Sequence, residues 1–210
     1  MEEHYVINIG RQLGSGGREI GEKLSRRLGI AYYDKELLRL AAQESGLSTE
    51  FFEEVDERAN KVRMGGLFGL RFPLTGHTMT SYDNCLSNDS LFKIMSDVIR
   101  QLASERSCLF VGRCADYILR DHPRCVNIFI TATRKDRISR LCLLHPNITP
   151  SQAEEMMTKA DKGRAAFYNY YSNKTWGAAT SYHLCIESTP LGVDRTVSLL
   201  ETFVRGKLEL

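Results

Sequence analysis

The stretch Val6-Ile7-Asn8-Ile9-Gly10-Arg11-Gln12-Leu13-Gly14-Ser15-Gly16-Gly17-Arg18-Glu19-Ile20-Gly21 decides how the chain folds. Tyr5 to Ile9 reads as a buried strand, rich in β-favouring residues and bounded by Gly10. After a glycine-rich turn, Ile20, Leu24 and Leu28 recur at spacing four and give a helix one apolar stripe. Gly29 stands where a left-handed residue would end that helix. Strand, glycine turn and helix in this order present free backbone N–H groups, and the positive end of a helix, to an anion such as a phosphate.

Two glycine-loop templates compete for the turn. The dinucleotide fingerprint led by Gly14 and Gly16 needs a glycine at position 19, and Glu19 stands there. A carboxylate facing a pyrophosphate is unfavourable, which argues against a dinucleotide-binding dehydrogenase. The phosphate-loop template G-x-x-x-x-G-K-[ST] fits in length when its second glycine is Gly16. It then places Arg11 at the first position, Gly17 at the lysine and Arg18 at the hydroxyl position. A lysine there would bridge the β- and γ-phosphates. Here that charge has to come from Arg18 or Arg11, as a planar fork of different reach. The plainer alternative is a tight strand-to-helix turn without a ligand.

Working outward, Ile30 to Tyr33 form a second short strand, and Asp34 can cap a helix carrying Leu37, Leu38 and Ala41. A shorter helix after Ser48 would bury Phe51, Phe52 and Val55. Periodicity vanishes from about Asn60 to Asn84, a length that marks functional loops. A lid, an acceptor-binding flap and a dimer contact all remain open for it.

Leu91, Ile94, Met95, Val98 and Leu102 then define a long helix, followed by the strand Cys108–Val111 and by Gly112-Arg113. A short helix over Ala115–Leu119 precedes the strand Val126–Ile130 and a helix with Arg134, Arg137 and Arg140 at spacing three. Thr149-Pro150-Ser151-Gln152 is a capping box with proline at N1, opening a helix that runs through Asp161 and Arg164 to Tyr171. A strand at His183 to Ile186 and a helix from Val193 to Val204 close the pattern. Apolar strands alternating with helices predict an α/β fold, a parallel sheet covered on both faces with ligands at the carboxyl ends of the strands. Gly10-Arg11, Asp34, Gly112-Arg113 and Ala132 to Arg134 all follow strands, so they are expected to converge on one crevice.

The 210 residues suit a single domain, and a net charge of +2 is too small for nonspecific nucleic-acid binding. Six scattered cysteines, with no C-x-x-C pair, form neither a metal finger nor a disulfide framework. Cys108, Cys125 and Cys185 fall in apolar runs, where a thiol acts as a small hydrophobe. With no signal-peptide pattern and no membrane-length apolar run, the expectation is a cytoplasmic protein with neither membrane nor nucleic-acid partners.

Three segments carry a resemblance: Gly14 to Gly21, Val111-Gly112-Arg113-Cys114-Ala115-Asp116-Tyr117, and Asp161-Lys162-x-Arg164. Together they resemble the cytidylate kinase-like family, a divergent branch of the nucleoside monophosphate kinases. The resemblance implies a P-loop NTP hydrolase-type fold formed as one domain over residues 1–210. An acceptor-binding (NMP) insertion would lie at about 35–90 and a LID region at about 134–172. The implied reaction moves the γ-phosphoryl of ATP to CMP or dCMP with Mg²⁺. It leaves the metal ligands unnamed and a homo-oligomer open.

Carried over by residue, Arg11, Gly14, Ser15, Gly16, Gly17, Arg18 and Glu19 would hold the ATP phosphates. Arg18, Arg137 and Arg140 would be catalytic, and Asp34, Arg113, Asp161 and Arg164 would meet the acceptor. Asp161 accepting from an exocyclic amine would favour cytosine over uracil. The chain departs from the family pattern at Cys114, where an aspartate is expected, and at Met157, where an arginine is expected. Asp116 is two residues beyond Cys114, and whether it compensates is open at this level.

Each placement has a plainer counterpart. Arg134, Arg137 and Arg140 can be a solvated helix face, and Asp161 with Arg164 a surface pair at spacing three. Tyr168, Tyr170, Tyr171 and Trp176 read as packing. Three functions follow: the cytidylate-type phosphotransferase, a nucleotide-binding protein with lost or weak catalysis, and a P-loop kinase with another small acceptor. If Arg18 supplies the missing charge, Arg18→Ala lowers turnover far more than it lowers folding stability. An unchanged rate, measured by ADP release beside a denaturation curve, would move the role to Arg11 or to a LID arginine.

Overall fold

The computed structural model describes residues 4–34, 39–40 and 88–210. The chain divides into two units, Met1–Glu36 with Ile99–Leu210, and Leu37–Val98. The helices expected around Leu37 and Phe51, and the aperiodic stretch 60–84, lie outside the described residues. Of the second unit, 39–40 and 88–98 are described, and the latter open helix α2, Asn88–Glu105.

The first unit is built on strands β1 (Val6–Arg11), β2 (Ala31–Tyr33), β3 (Cys108–Val111), β4 (Cys125–Thr131) and β5 (Leu184–Glu187). Among the described residues they form one sheet in the order β2-β3-β1-β4-β5, every pair parallel. Around this sheet, among the described residues, stand the helices α1 (Gly17–Leu28), α3 (Ala115–Ile118), α4 (Arg134–Leu144), α5 (Pro150–Ser172) and α6 (Gly192–Leu208).

One core lies between the sheet and the pair α1 and α6. Ile7, Ile9, Leu109, Val111, Ile128 and Ile130 point from the strands toward Ile20 and Leu24 of α1 and Val197, Leu200 and Val204 of α6. The opposite face is more polar. Asn8 donates there to Asn127 Oδ1 at 2.8 Å, and Phe129 meets Trp176 edge-on and Tyr182 at a tilt. Trp176 and the buried Tyr168 thus pack, as expected of them. Tyr170 is the exception, exposed at the end of α5.

Gly29 ends α1 in the left-handed conformation, at φ 66°. Thr149 begins α5 with both halves of the capping box made, and Pro150 occupies the first turn. Cys185 departs from its reading as a small buried hydrophobe. It is exposed, because β5 is an edge strand with one face turned outward. The five described cysteines are free, and no described helix is long and apolar enough to cross a membrane.

The register sets up the site. Ile9 pairs with Val111 and Ile128, and Thr131 with Glu187, so the strands end together on one edge. Arg11, Asp34, Gly112-Arg113, Thr131 and Ser188 stand along that edge. Thr149→Ala is expected to cost about 1 kcal/mol of stability by removing the α5 cap, read as a lower urea midpoint at unchanged slope.

Candidate phosphate-binding site

The loop after β1 is shaped by its own hydrogen bonds and by two glycines. Gln12 N–H donates to Ile130 O at 3.1 Å, and Ser15 Oγ donates to Gln12 O at 2.8 Å. Gly17 N–H donates to Ser15 Oγ at 3.3 Å. Gly14 and Gly16 take φ values of 78° and 79°, which L side chains resist. Ile20 N–H closes the first turn of α1 onto Gly16 O at 2.9 Å. The N–H groups of Gly16, Arg18 and Glu19 meet no acceptor among the described residues. These are the orphan donors of a helix start, and they suit an anion. Ser15 is fully buried, so its hydroxyl serves the loop's own shape.

The α4–α5 hairpin holds this loop by the backbone N–H and C=O of Leu13. Leu13 N–H donates to Asp161 Oδ1 at 2.9 Å, and Leu13 O accepts from Arg137 Nε at 2.6 Å. Arg137 Nη2 in turn pairs with Asp161 Oδ2. Arg164 Nη1 donates to Arg11 O at 3.1 Å and lies 3.7 Å from Asp161 Oδ1. Leu13 itself packs on the small core of Leu141, Ala153 and Met157. Met157, at the place of the expected arginine, is therefore a core residue of the hairpin.

Arg137 is buried and Asp161 nearly so, hence neither is the solvated helix face or surface pair that spacing alone allows. Both oxygens of Asp161 are occupied by the loop and by arginine. A base amine would have to share this carboxylate with Leu13 N–H and Arg137.

The hairpin also covers the mouth of the loop. A Cβ on Gly14 would lie 2.8 Å from Arg137 O, and one on Gly16 would lie 2.8 Å from Arg140 Nη1. Arg140 Nη1 is 3.6 Å from Glu19 Oε2, and its buried Nε meets no partner among the described residues. Glu19 is shared with Lys23 at 3.1 Å, which offsets a carboxylate beside the loop. Ser188, after β5, completes the loop's support: its Oγ lies 2.7 Å from Ser15 O and 3.1 Å from Thr131 O. Sequence reasoning passed over Ser188 and Leu13, because neither carries charge or belongs to the glycine pattern. The one signal for Ser188 was its place just after the fifth strand.

On the other side of the loop, Asp34 bridges two arginines. Its Oδ2 is 2.5 Å from Arg18 Nε, and its Oδ1 is 3.4 Å from Arg11 Nη2. Burial pulls the Arg11 guanidinium down to about 9, and the positive charges of Arg164, Arg113 and Arg18 add to the pull while Asp34 opposes it. Burial also lowers Arg164, with Asp161 and Asp34 opposing and Arg18 and Arg113 adding. Both remain cations at neutral pH.

Gly112, Arg113 and Cys114 follow β3 with φ values of 79°, 58° and 55°, three left-handed residues in a row. Such backbone costs on the order of 1 kcal/mol for each non-glycine residue and is characteristic of ligand sites. Cys114 is buried, and burial pushes its thiol well above the usual range, so it carries no charge in place of the expected aspartate. Asp116 does not stand in for it. Its carboxyl is buried, which raises it, and it accepts from Tyr168 Oη at 2.7 Å.

Among the described residues around the loop, the guanidinium groups of Arg11, Arg18, Arg113, Arg137, Arg140 and Arg164 outnumber the carboxylates of Glu19, Asp34 and Asp161 two to one. The edge of the sheet carries an excess of positive charge beside unsatisfied N–H donors, which is the electrostatics of a polyphosphate site. Metal binding is less well provided for. Among the described residues no group of three His, Cys, Asp or Glu can hold an ion. Arg18 fills the hydroxyl position, and Asp34 and Asp161 are each tied to arginine.

The chain belongs to the cytidylate kinase-like family, whose model matches residues 6–190. No curated protein matches it. The solved structure of an uncharacterized protein from Eubacterium ventriosum is similar, with a TM-score of 0.69 at 24% identity over 96% of this chain and 98% of that one. Shikimate kinase from Bacteroides thetaiotaomicron gives 0.54 at 11% identity, over 98% of this chain and 99% of that one. Shikimate kinase from Acinetobacter baumannii, solved in complex with shikimate, gives 0.50 at 13% identity, over 99% and 97%. The fold is thus that of the P-loop kinases, and at these identities the likeness speaks of the fold alone.

Asp161→Ala removes the clasp on Leu13 and leaves Arg137 buried without its anion. The expected cost is on the order of 2–3 kcal/mol of stability, together with weaker tripolyphosphate binding by calorimetry. Wild-type affinity in the variant would mean that the loop keeps its shape unaided.

Proposed function

We propose that this member of the cytidylate kinase-like family transfers the γ-phosphoryl group of ATP to CMP or dCMP. The observation that carries the reading is the phosphate loop itself, with unsatisfied N–H donors at the start of α1 ringed by guanidinium groups from four separate elements. Phosphoryl transfer asks little covalent chemistry of a protein. It asks for in-line positioning and for positive charge around the three equatorial oxygens.

In this reading the backbone of Gly14 to Glu19 cradles the donor's phosphates, with Arg140 above Gly16 and Arg18 at the rim. A phosphate oxygen of the acceptor attacks the γ-phosphorus, the bond to the β–γ bridging oxygen breaks, and ADP leaves with that electron pair. Arg113 and Arg164 stand at the strand ends where the acceptor's phosphate would approach. Asp34 aligns Arg11 and Arg18 between the two. Mg²⁺ is the family's usual companion of ATP. Among the described residues no cluster of three His, Cys, Asp or Glu would hold the ion without the nucleotide, and the phosphates of ATP would supply most of its ligands.

One set of observations favours a different acceptor on the same chemistry. Cys114 carries no charge where the family implies a carboxylate, and Asp161, implied to read the base, is spent on the loop. The two readings separate in a coupled ADP-release assay. Turnover is expected with CMP and dCMP, and lower with UMP and AMP. Turnover confined to another small phosphate or hydroxyl compound would support the second reading. ATP binding without transfer to any acceptor, from folded protein, would overturn both.

A further inference from the structure

The lysine position of the loop is Gly17, and the structure gives a steric reason for the glycine. A Cβ placed there would lie 2.6 Å from Arg11 Cβ and 3.0 Å from Arg11 Cγ. Those atoms are the root of the Arg11 side chain and cannot swing aside as its tip could. Any residue other than glycine at 17, a lysine included, is therefore incompatible with Arg11 in its present path. The other end of the same side chain is made room for as well. A Cβ on Gly112 would lie 2.2 Å from Arg11 Nη1, and Gly112 has a φ of 79° that favours glycine in any case.

Between these two glycines Arg11 runs under the loop as a largely buried cation, its side chain 16% exposed. Its ion-pair partner among the described residues is Asp34, at 3.4 Å, and Asp34 is held closer by Arg18, at 2.5 Å. The charges of Arg164, Arg113 and Arg18 that act on it are positive. A largely buried guanidinium with three like charges near it and one carboxylate that it shares with Arg18 is held at an electrostatic cost. An arriving anion would relieve that cost.

We infer that Arg11 takes the place of the missing phosphate-loop lysine, with Gly17 and Gly112 keeping its path clear, and that its ligand is the phosphoryl oxygens lying between the donor loop and Arg113 and Arg164. This rests on the phosphoryl-donor reading given above. The charge reaches the phosphates from the strand end beneath the loop, whereas a lysine would reach them from the first turn of the helix above. A planar fork can also hold two oxygens at once, which an ammonium does not do. Arg18 is left as the outer partner of Asp34, and Arg140 as the cover of Gly16.

The test uses the full chain, tripolyphosphate as the probe, calorimetry for affinity and thermal unfolding for stability. Arg11→Gln keeps the stem and drops the charge. It is expected to unfold at or above the wild-type temperature, and to bind tripolyphosphate about ten-fold or more weakly, the weight of a charged hydrogen bond. A purely structural Arg11 would show the reverse, a lower unfolding temperature and unchanged affinity.

The second arm moves the charge. Gly17→Lys alone should weaken binding although it restores the lysine of the pattern. Arg11→Gly with Gly17→Lys, which removes the colliding Cβ, should recover affinity to within about three-fold of wild type, since coupled sites do not add. A double variant as weak as the two single losses combined would overturn the inference while leaving the phosphoryl-donor reading intact. Wild-type protein that fails to bind tripolyphosphate would overturn that reading, and the inference with it.

Discussion

The structure turns on the backbone of one residue. Leu13 offers its N–H to Asp161 and its carbonyl to Arg137, and these two side chains are paired with each other. A glycine loop has little conformational preference of its own, because Gly14 and Gly16 were chosen for φ values that other residues avoid. Something outside the loop must therefore choose among its conformations. The clasp does so from the α4–α5 hairpin, and Ser188 does so from β5. Leu13 then anchors the arrangement by packing on Leu141, Ala153 and Met157, so hairpin and loop are stabilised together.

That coupling has a functional consequence. The hairpin that brings Arg140 over Gly16 is also the hairpin that shapes the loop beneath it. A shift of α5 cannot leave the N–H donors of the loop where they were. In phosphoryl transfer, where positioning supplies most of the rate, the same ion pair would govern both the seat of the donor and the charge above it.

Charge is the second organising constraint. Among the described residues around this loop arginines outnumber carboxylates, and three left-handed residues follow β3. Both features cost stability in the absence of a ligand. Elsewhere the sheet is conventional, with an apolar core of Ile7, Ile9, Ile20 and Leu24 that tolerates such strain at its edge. The arginines meet at the strand ends, where the register of β1 with β3 sets Arg11 beside Gly112-Arg113 and helices α1, α4 and α5 bring in the others.

Much of this was legible in the order of residues. Strand and helix periods are local, so β1, α1, β3, β4 and the capped start of α5 could be read directly, and parallel pairing followed from their alternation. The phosphate loop was legible for the same reason, since its glycines and flanking elements are contiguous. The partners of Leu13, Arg11 and Asp34 were not. A pair such as Leu13 and Asp161 is separated by 148 positions, and no local pattern says that an aspartate at helical spacing from Arg164 will turn to a backbone amide instead of to solvent. Nor could the run of residues say that Gly17 is imposed by the Cβ of Arg11. Fold class is a property of short-range pattern and was legible in the sequence, as were the glycines of the loop after β1. Which arginine is free for a phosphate and which is spent on the loop depends on distances across the sheet edge, and those exist only once the chain has closed on itself.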